Sequence, residues 1–219
     1  NKRIQKMKSR LIIVNSMQWD VSAQIIDSYC DTLVQAVSQI DTWLGVPGCL
    51  EGSVKKSGGI RIVSSPWIWQ KLGFHHVEYN TIFLDPRNLA MDTVVHEFAH
   101  IFDNLLGSHI LAAIFGGGPS DDMIRYLGIE PDQFFPRFHS PGYERSFQEN
   151  HIELNPTVYG RTYGPAEDFA ETFKLAVLDP ERLFLAAPRR YKWIQNWKNE
   201  HFFNPDSLTL TGRKSADND

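Results

Sequence analysis

The chain has 219 residues, 42% of them hydrophobic and 22% charged, with 22 Lys and Arg against 26 Asp and Glu for a net charge of −4. That is the composition of a packed globular chain and not of a disordered one, and its mild acidity speaks against nucleic acid as the main partner. Its longest purely apolar run, Ile110 to Phe115, falls far short of the about 20 residues a transmembrane helix needs.

Residues 1–19, carrying Lys2, Arg3, Lys6, Lys8 and Arg10, read as a basic, solvated N-terminal arm of a trimmed or mature form. Residues 20–203 read as a single domain and 204–219 as a polar tail. Within the domain, Asp20 to Leu44 has helical periodicity through Val21, Ile25, Ile26, Cys30, Leu33, Val37, Ile40 and Leu44, and Gly45 and Pro47 end it. Cys30 and Cys49 are too far apart in sequence for a zinc pair; a disulfide and two buried thiols fit them equally. Gly59 to Val63 and Thr81 to Leu84 carry strand signals.

A second helix is expected from Asn88 to Leu106, with Val94, Phe98, Ile101 and Leu105 on one apolar face and Val95 and Phe102 widening it. Gly116-Gly117-Gly118-Pro119 breaks the chain. From there to Gly164 the expectation is irregular structure with one short helix near Asp121 to Leu127. Phe134, Phe135, Pro136, Arg137, Phe138, His139 and Tyr143 in this stretch read either as a packing loop or as the wall of a cleft. A third strong helix runs from Pro165 to Leu178, and two shorter ones fill Glu181 to Lys198.

The second helix contains His96-Glu97-Phe98-Ala99-His100. Residues four apart lie one turn apart on one helix face, so both imidazoles can reach one zinc ion, and Glu97 can lean toward a water on that ion. Such a water ionises near pH 7, within reach of a neighbouring carboxylate. A catalytic zinc takes three protein ligands and keeps one open position. The extended pattern that would supply a third His fails, because Asp103 and Leu106 stand at the positions it needs. His75, His76, His109, His139, His151 and His201 are each weak candidates for the third ligand. The best candidate lies on the third helix, where Glu167 and Glu171 point from one face of an apolar segment. Glu167 is assigned as the third ligand and Glu171 as acceptor for the far nitrogen of a ligating histidine. The alternative is a solvated acidic face pairing with Lys174.

A helical H-E-x-x-H followed by an E-D-F-A-E helix resembles the gluzincin zinc metallopeptidases, and within them the anthrax lethal factor catalytic domain and the Pro-Pro endopeptidases. The resemblance covers Val94 to Asp103 and Tyr159 to Phe173. It implies an α+β, zincin-like fold, mainly helical, with a small mixed sheet packed on the H-E-x-x-H helix. It implies an endopeptidase acting on a peptide or protein substrate, with Glu97 as general base, in a secreted or extracellular setting, a cytoplasmic one remaining open. It also implies a tyrosine that donates to the scissile carbonyl or its oxyanion; Tyr159 stands nearest that position after a one-residue insertion, and Tyr163 is the second choice. The strand Thr81 to Leu84 would be the sheet edge on which an extended peptide adds. A monomer is expected. Two other readings remain open, a non-catalytic zincin-like metal- or peptide-binding module and a metal-free interaction domain; retention of Glu97 beside both histidines argues for catalysis.

Overall fold

The computed structural model describes residues 18–20, 27–45, 61–64, 73–76, 81–84, 90–107, 116–134 and 137–203, with side chains for 31–45, 82, 90–107, 116–134 and 137–202. The pairing of Cys30 with Cys49, the leading arm up to residue 17 and the tail from 204 lie outside what it describes.

Strand β1 (Gln18–Asp20) is followed by helix α1 (Asp27–Leu44), strands β2 (Arg61–Ser64), β3 (Gly73–His76) and β4 (Thr81–Leu84), then helix α2 (Met91–Leu105). The rest is helical: α3 (Pro119–Leu127), a 3-10 turn (Pro131–Gln133), α4 (Tyr143–Glu149), α5 (Val158–Tyr163), α6 (Pro165–Leu178), α7 (Pro180–Ala186), α8 (Pro188–Lys198) and a closing π-turn (Asn199–Phe203).

The expected α+β class is corrected by this structure. Among residues with described side chains, 76% are helical and 1% lie in a strand, so this part of the protein is α-rich and its core is built by helices. The strands are three or four residues long and are defined by backbone pairing, in the order β1-β2-β4-β3. That order corrects a second expectation. Thr81 to Leu84 is not an edge: β4 pairs with β2 on one side and with β3 on the other. Gln18 and Trp19, read as part of the arm, pair with Arg61 and Ile62, and β3 carried no strand signal that the sequence reading used.

The segment from 116 to 164 departs furthest from the irregular structure expected of it. Helix α3 falls where the short helix near Asp121 to Leu127 was expected, but α4 and α5 were not expected. Short helices have little stability of their own and form where packing rewards them, and here Met123, Ile124, Leu127, Tyr143 and Phe147 are buried in the common core. Helices α2 and α6 form its centre. Helix α2 is buried on all sides from Val94 to Asn104, and α6 from Pro165 to Phe173. Their contact is aromatic: Phe102 meets Phe173 at 5.4 Å between ring centroids, and Phe169 meets Trp197 of α8 at 5.7 Å. Trp43 of α1 closes the group on Phe173 at 5.2 Å. Aromatic burial of this kind contributes about 1.5–3 kcal/mol per ring, so the two helices are held by their apolar faces and their polar faces are free to be functional.

Helix α6 begins where the sequence predicts, at Pro165. The preceding Gly164 has φ near +149°, and a Cβ there would lie 2.5 Å from the carbonyl oxygen of Arg137. Only glycine fits that turn. It brings the 137–140 loop against the start of α6, where Ser140 N–H donates to the Tyr163 carbonyl at 2.6 Å. Asp103 has a related anchoring role at the end of α2: its buried carboxylate accepts from Ser120 N–H at 2.7 Å, tying α2 to the first turn of α3.

Candidate metal centre

His96 and His100 project from one face of α2, and Glu167 meets them from α6. His96 Nε2 lies 3.0 Å from Glu167 Oε2, His100 Nε2 lies 3.4 Å from the same oxygen, and the two Nε2 atoms are 3.2 Å apart. All three residues are buried. Among the described residues, this is the group of His, Cys, Asp or Glu side chains able to hold a metal ion. Each of the three atoms offers a lone pair, and all three are aimed at one small volume. Without a positive charge there, two nitrogen lone pairs and a carboxylate oxygen would face one another in a buried site, which is costly.

Glu171, one turn after Glu167, accepts from His96: Nδ1 and Oε1 are 2.8 Å apart. This contact selects the tautomer with the proton on Nδ1 and leaves Nε2 as the free donor atom. Lys174 Nζ also reaches Glu171 Oε1, at 2.6 Å. The expected pairing with Lys174 is present, but the acidic face is buried and not solvated, and Glu171 joins the lysine to the histidine.

The charges of the cluster act strongly on one another. Burial alone would lower the His96 pKa, but the hydrogen bonds to Glu167 and Glu171 and the charges of Glu167 and Glu97 reverse this and raise it to about 10. Burial alone would raise the Glu167 carboxyl, but the two imidazoles hold it well below the usual carboxylate range. Burial would likewise raise Glu171, and His96 and Lys174 bring it down to about 2. The carboxylates stay ionised, and the proton that balances them occupies the place a metal ion can take.

Glu97 is buried beside the cluster, close enough for its charge to raise both His96 and Tyr159. The two tyrosines separate here. The Tyr159 ring packs edge-on against His96 at 5.7 Å, and its hydroxyl is pushed up first by burial and then by Glu167 and Glu97. Tyr163 lies one turn behind, its ring tilted against Tyr159 at 4.4 Å and beside His139 at 5.5 Å. Both tyrosines keep an open face, 40% and 36% exposed. The aromatic segment before them divides. Phe138 lies against His100 at 5.4 Å, whereas Phe134, Arg137 and Tyr143 are buried away from solvent; Phe135 and Pro136 lie outside the described residues. His139, His151 and His201 do not join the cluster; the side chains of His75, His76 and His109 are outside the described set.

A second polar cluster, which the sequence reading passed over, lies on the other side of α6. Asp168 accepts from Arg190 through Nε at 3.0 Å and Nη2 at 2.6 Å, and from the Tyr143 hydroxyl at 2.7 Å. Asn155 donates to Asp168 Oδ1 at 2.7 Å. Arg190 also reaches the Glu153 carbonyl through Nη1. The one usable signal was the Asp inside E-D-F-A-E, on an otherwise apolar segment: a buried acid needs a partner, but nothing in the spacing points to Arg190.

No protein-family model matches the chain, and no curated protein matches it. Among the described residues, no helix is long and apolar enough to cross a membrane.

Proposed function

We propose that the chain is a zinc-dependent endopeptidase. The observation that carries this is the triangle of 3.0, 3.2 and 3.4 Å between the three ligand atoms. A tetrahedral ion bonded at about 2.0–2.1 Å, the zinc value for nitrogen and oxygen ligands, separates its ligands by roughly 3.3 Å. Two imidazoles and one carboxylate are the donor set of a catalytic zinc with one position left open.

A zinc ion bound there supplies Lewis acidity, which acidifies a water and polarises a peptide carbonyl. The remaining work falls to the chain. Glu97 takes the proton of the attacking water and passes it to the departing amine. Tyr159, whose hydroxyl is held protonated by burial and nearby carboxylates, donates to the oxygen that gains charge during attack. Glu171 keeps His96 in the tautomer that leaves Nε2 available. The secreted setting implied by the gluzincin resemblance belongs to the same proposal.

The test is Glu97→Gln. The variant should bind zinc in the same stoichiometry and lose turnover of a peptide library by about 10²- to 10⁴-fold, the usual contribution of a general base. Full activity in that variant excludes Glu97 as the base. Metal binding without any hydrolysis by the unmodified chain favours the non-catalytic module.

A further inference from the structure

The tyrosine that faces the metal cluster sits on α5, a helix of six residues, VYGRTY. So short a helix does not hold its own orientation, yet a donor to a reacting oxygen must be placed to within a fraction of an ångström. Asn155 supplies what α5 lacks. It is 1% exposed and lies between α5 and the far side of α6. Its amide nitrogen reaches Asp168 Oδ1 at 2.7 Å, the Asp168 carbonyl at 3.1 Å and Thr172 Oγ1 at 3.1 Å. Its amide oxygen accepts from the Thr157 backbone N–H at 2.9 Å and from the Thr157 hydroxyl at 3.0 Å. Thr157 in turn is the N-cap of α5, its Oγ1 accepting from Gly160 N–H at 3.1 Å. Gly160 then packs directly onto the amide, since a Cβ at that position would lie 2.6 Å from Asn155 Cγ.

We propose that Asn155 is a positioning residue for the reaction: it fixes α5 to α6, through the Thr157 cap and the Gly160 contact, so that the Tyr159 hydroxyl is held at the metal cluster. Its kinetic consequence rests on the peptidase reading above. Its hydrogen bonds go to Asp168, Thr172 and Thr157 and not to His96, His100 or Glu167, so its removal should leave zinc affinity intact. Asp168 is the fixed end of the chain of bonds, because Arg190 and Tyr143 already hold its carboxylate.

The experiment compares Asn155→Ala, Gly160→Ala, their combination and Tyr159→Phe in the zinc-loaded protein. Asn155→Ala should lower kcat by about 10- to 100-fold, the cost of a small misplacement, with KM and zinc affinity within about twofold of the parent. Gly160→Ala should do the same, because its methyl group displaces the amide. The double variant should be no worse than Asn155→Ala, since the methyl then enters the space the amide left. In the Tyr159→Phe background Asn155→Ala should cost less than about twofold more. Equal losses in both backgrounds, additive losses in the double variant, or loss of zinc affinity in step with kcat each overturn the proposal. A readout free of activity uses 3-fluorotyrosine incorporated at all positions, with the Tyr159 resonance assigned by its absence in Tyr159→Phe. That line should shift in Asn155→Ala and Gly160→Ala as the ring leaves its place between His96 and Tyr163; an unmoved line overturns the proposal. Should the parent cleave no peptide, the peptidase reading fails, and the Tyr159 line still decides whether Asn155 places this ring.

Discussion

Glu167 and Asp168 are consecutive on α6, both are buried carboxylates, and their surroundings are opposite in kind. Asp168 faces a guanidinium that is always charged, a phenol and an amide, so its lone pairs are taken up by partners that the chain itself provides. Glu167 faces two imidazoles whose charge is optional. The first cluster is complete as folded. The second balances its charge only by borrowing a proton or a cation from solution. Burial alone therefore does not mark a functional carboxylate; what marks it is burial against partners that can give up their charge.

The comparison can be broken most decisively at Glu167. Glu167→Ala should abolish stoichiometric zinc binding, measured by titration against a competing chelator, while the metal-free protein stays folded; unchanged zinc affinity would remove the basis of the site. At Asp168 the expectation reverses. Arg190→Met leaves a buried carboxylate without its counter-charge and should cost about 3–5 kcal/mol in denaturant unfolding, with zinc affinity of the folded fraction preserved. A loss of stability below about 1 kcal/mol would mean that the pair is not the permanent anchor described here. Glu171→Gln keeps an acceptor near His96 but removes its charge, and should weaken zinc binding by about 10- to 100-fold. An affinity equal to that of the parent would assign Glu171 to Lys174 alone.

The last effect expected is one of pH on the metal-free protein. His96 is raised to about 10 from its ordinary 6.5, so the stability it adds is fully present below pH 6.5 and is lost as pH rises toward 10. Glu167 and Glu171 are lowered from 4.5, so theirs is present above that value and is lost on acidification. Thermal unfolding in excess chelator should therefore show a maximum between about pH 4.5 and 6.5 and a decline toward pH 9. Zinc should cancel the alkaline decline, since the ion replaces the proton. A melting temperature that stays level from pH 6 to 9 without metal would contradict the charge balance drawn for His96.

What could be read from the chain was what depends on local spacing. His96 and His100, and Glu167 and Glu171, are each four apart, and helical geometry alone puts each pair on one face. Helix α6 announces itself by Pro165 and ends at Leu178 as its pattern requires. What could not be read depends on partners distant in sequence. The amide of Asn155 finds its acceptors 13 and 17 residues away, and Arg190 finds Asp168 across 22 residues. The position of β4 inside the sheet depends on strand order, which alternation of side chains does not encode. Helices α4 and α5 lie in a stretch rich in glycine and proline, and tertiary packing overrode those breakers. Of the two tyrosines left open by the sequence, one turn of helix put Tyr159 against His96 and Tyr163 behind it, a difference that the insertion before Glu167 had concealed.

The residues of the proposed site are also ordered in time. His96 and His100 leave the ribosome together, but Glu167 follows His100 by 67 residues (167 − 100). At about 5–20 residues per second, that interval is roughly 3 to 13 s. Throughout it the nascent chain carries the two imidazoles and Glu97 but not the Glu167 carboxylate that completes the proposed site. On the peptidase reading proposed above, a chain cut short before Pro165 should bind no zinc and cleave no peptide, since it lacks Glu167.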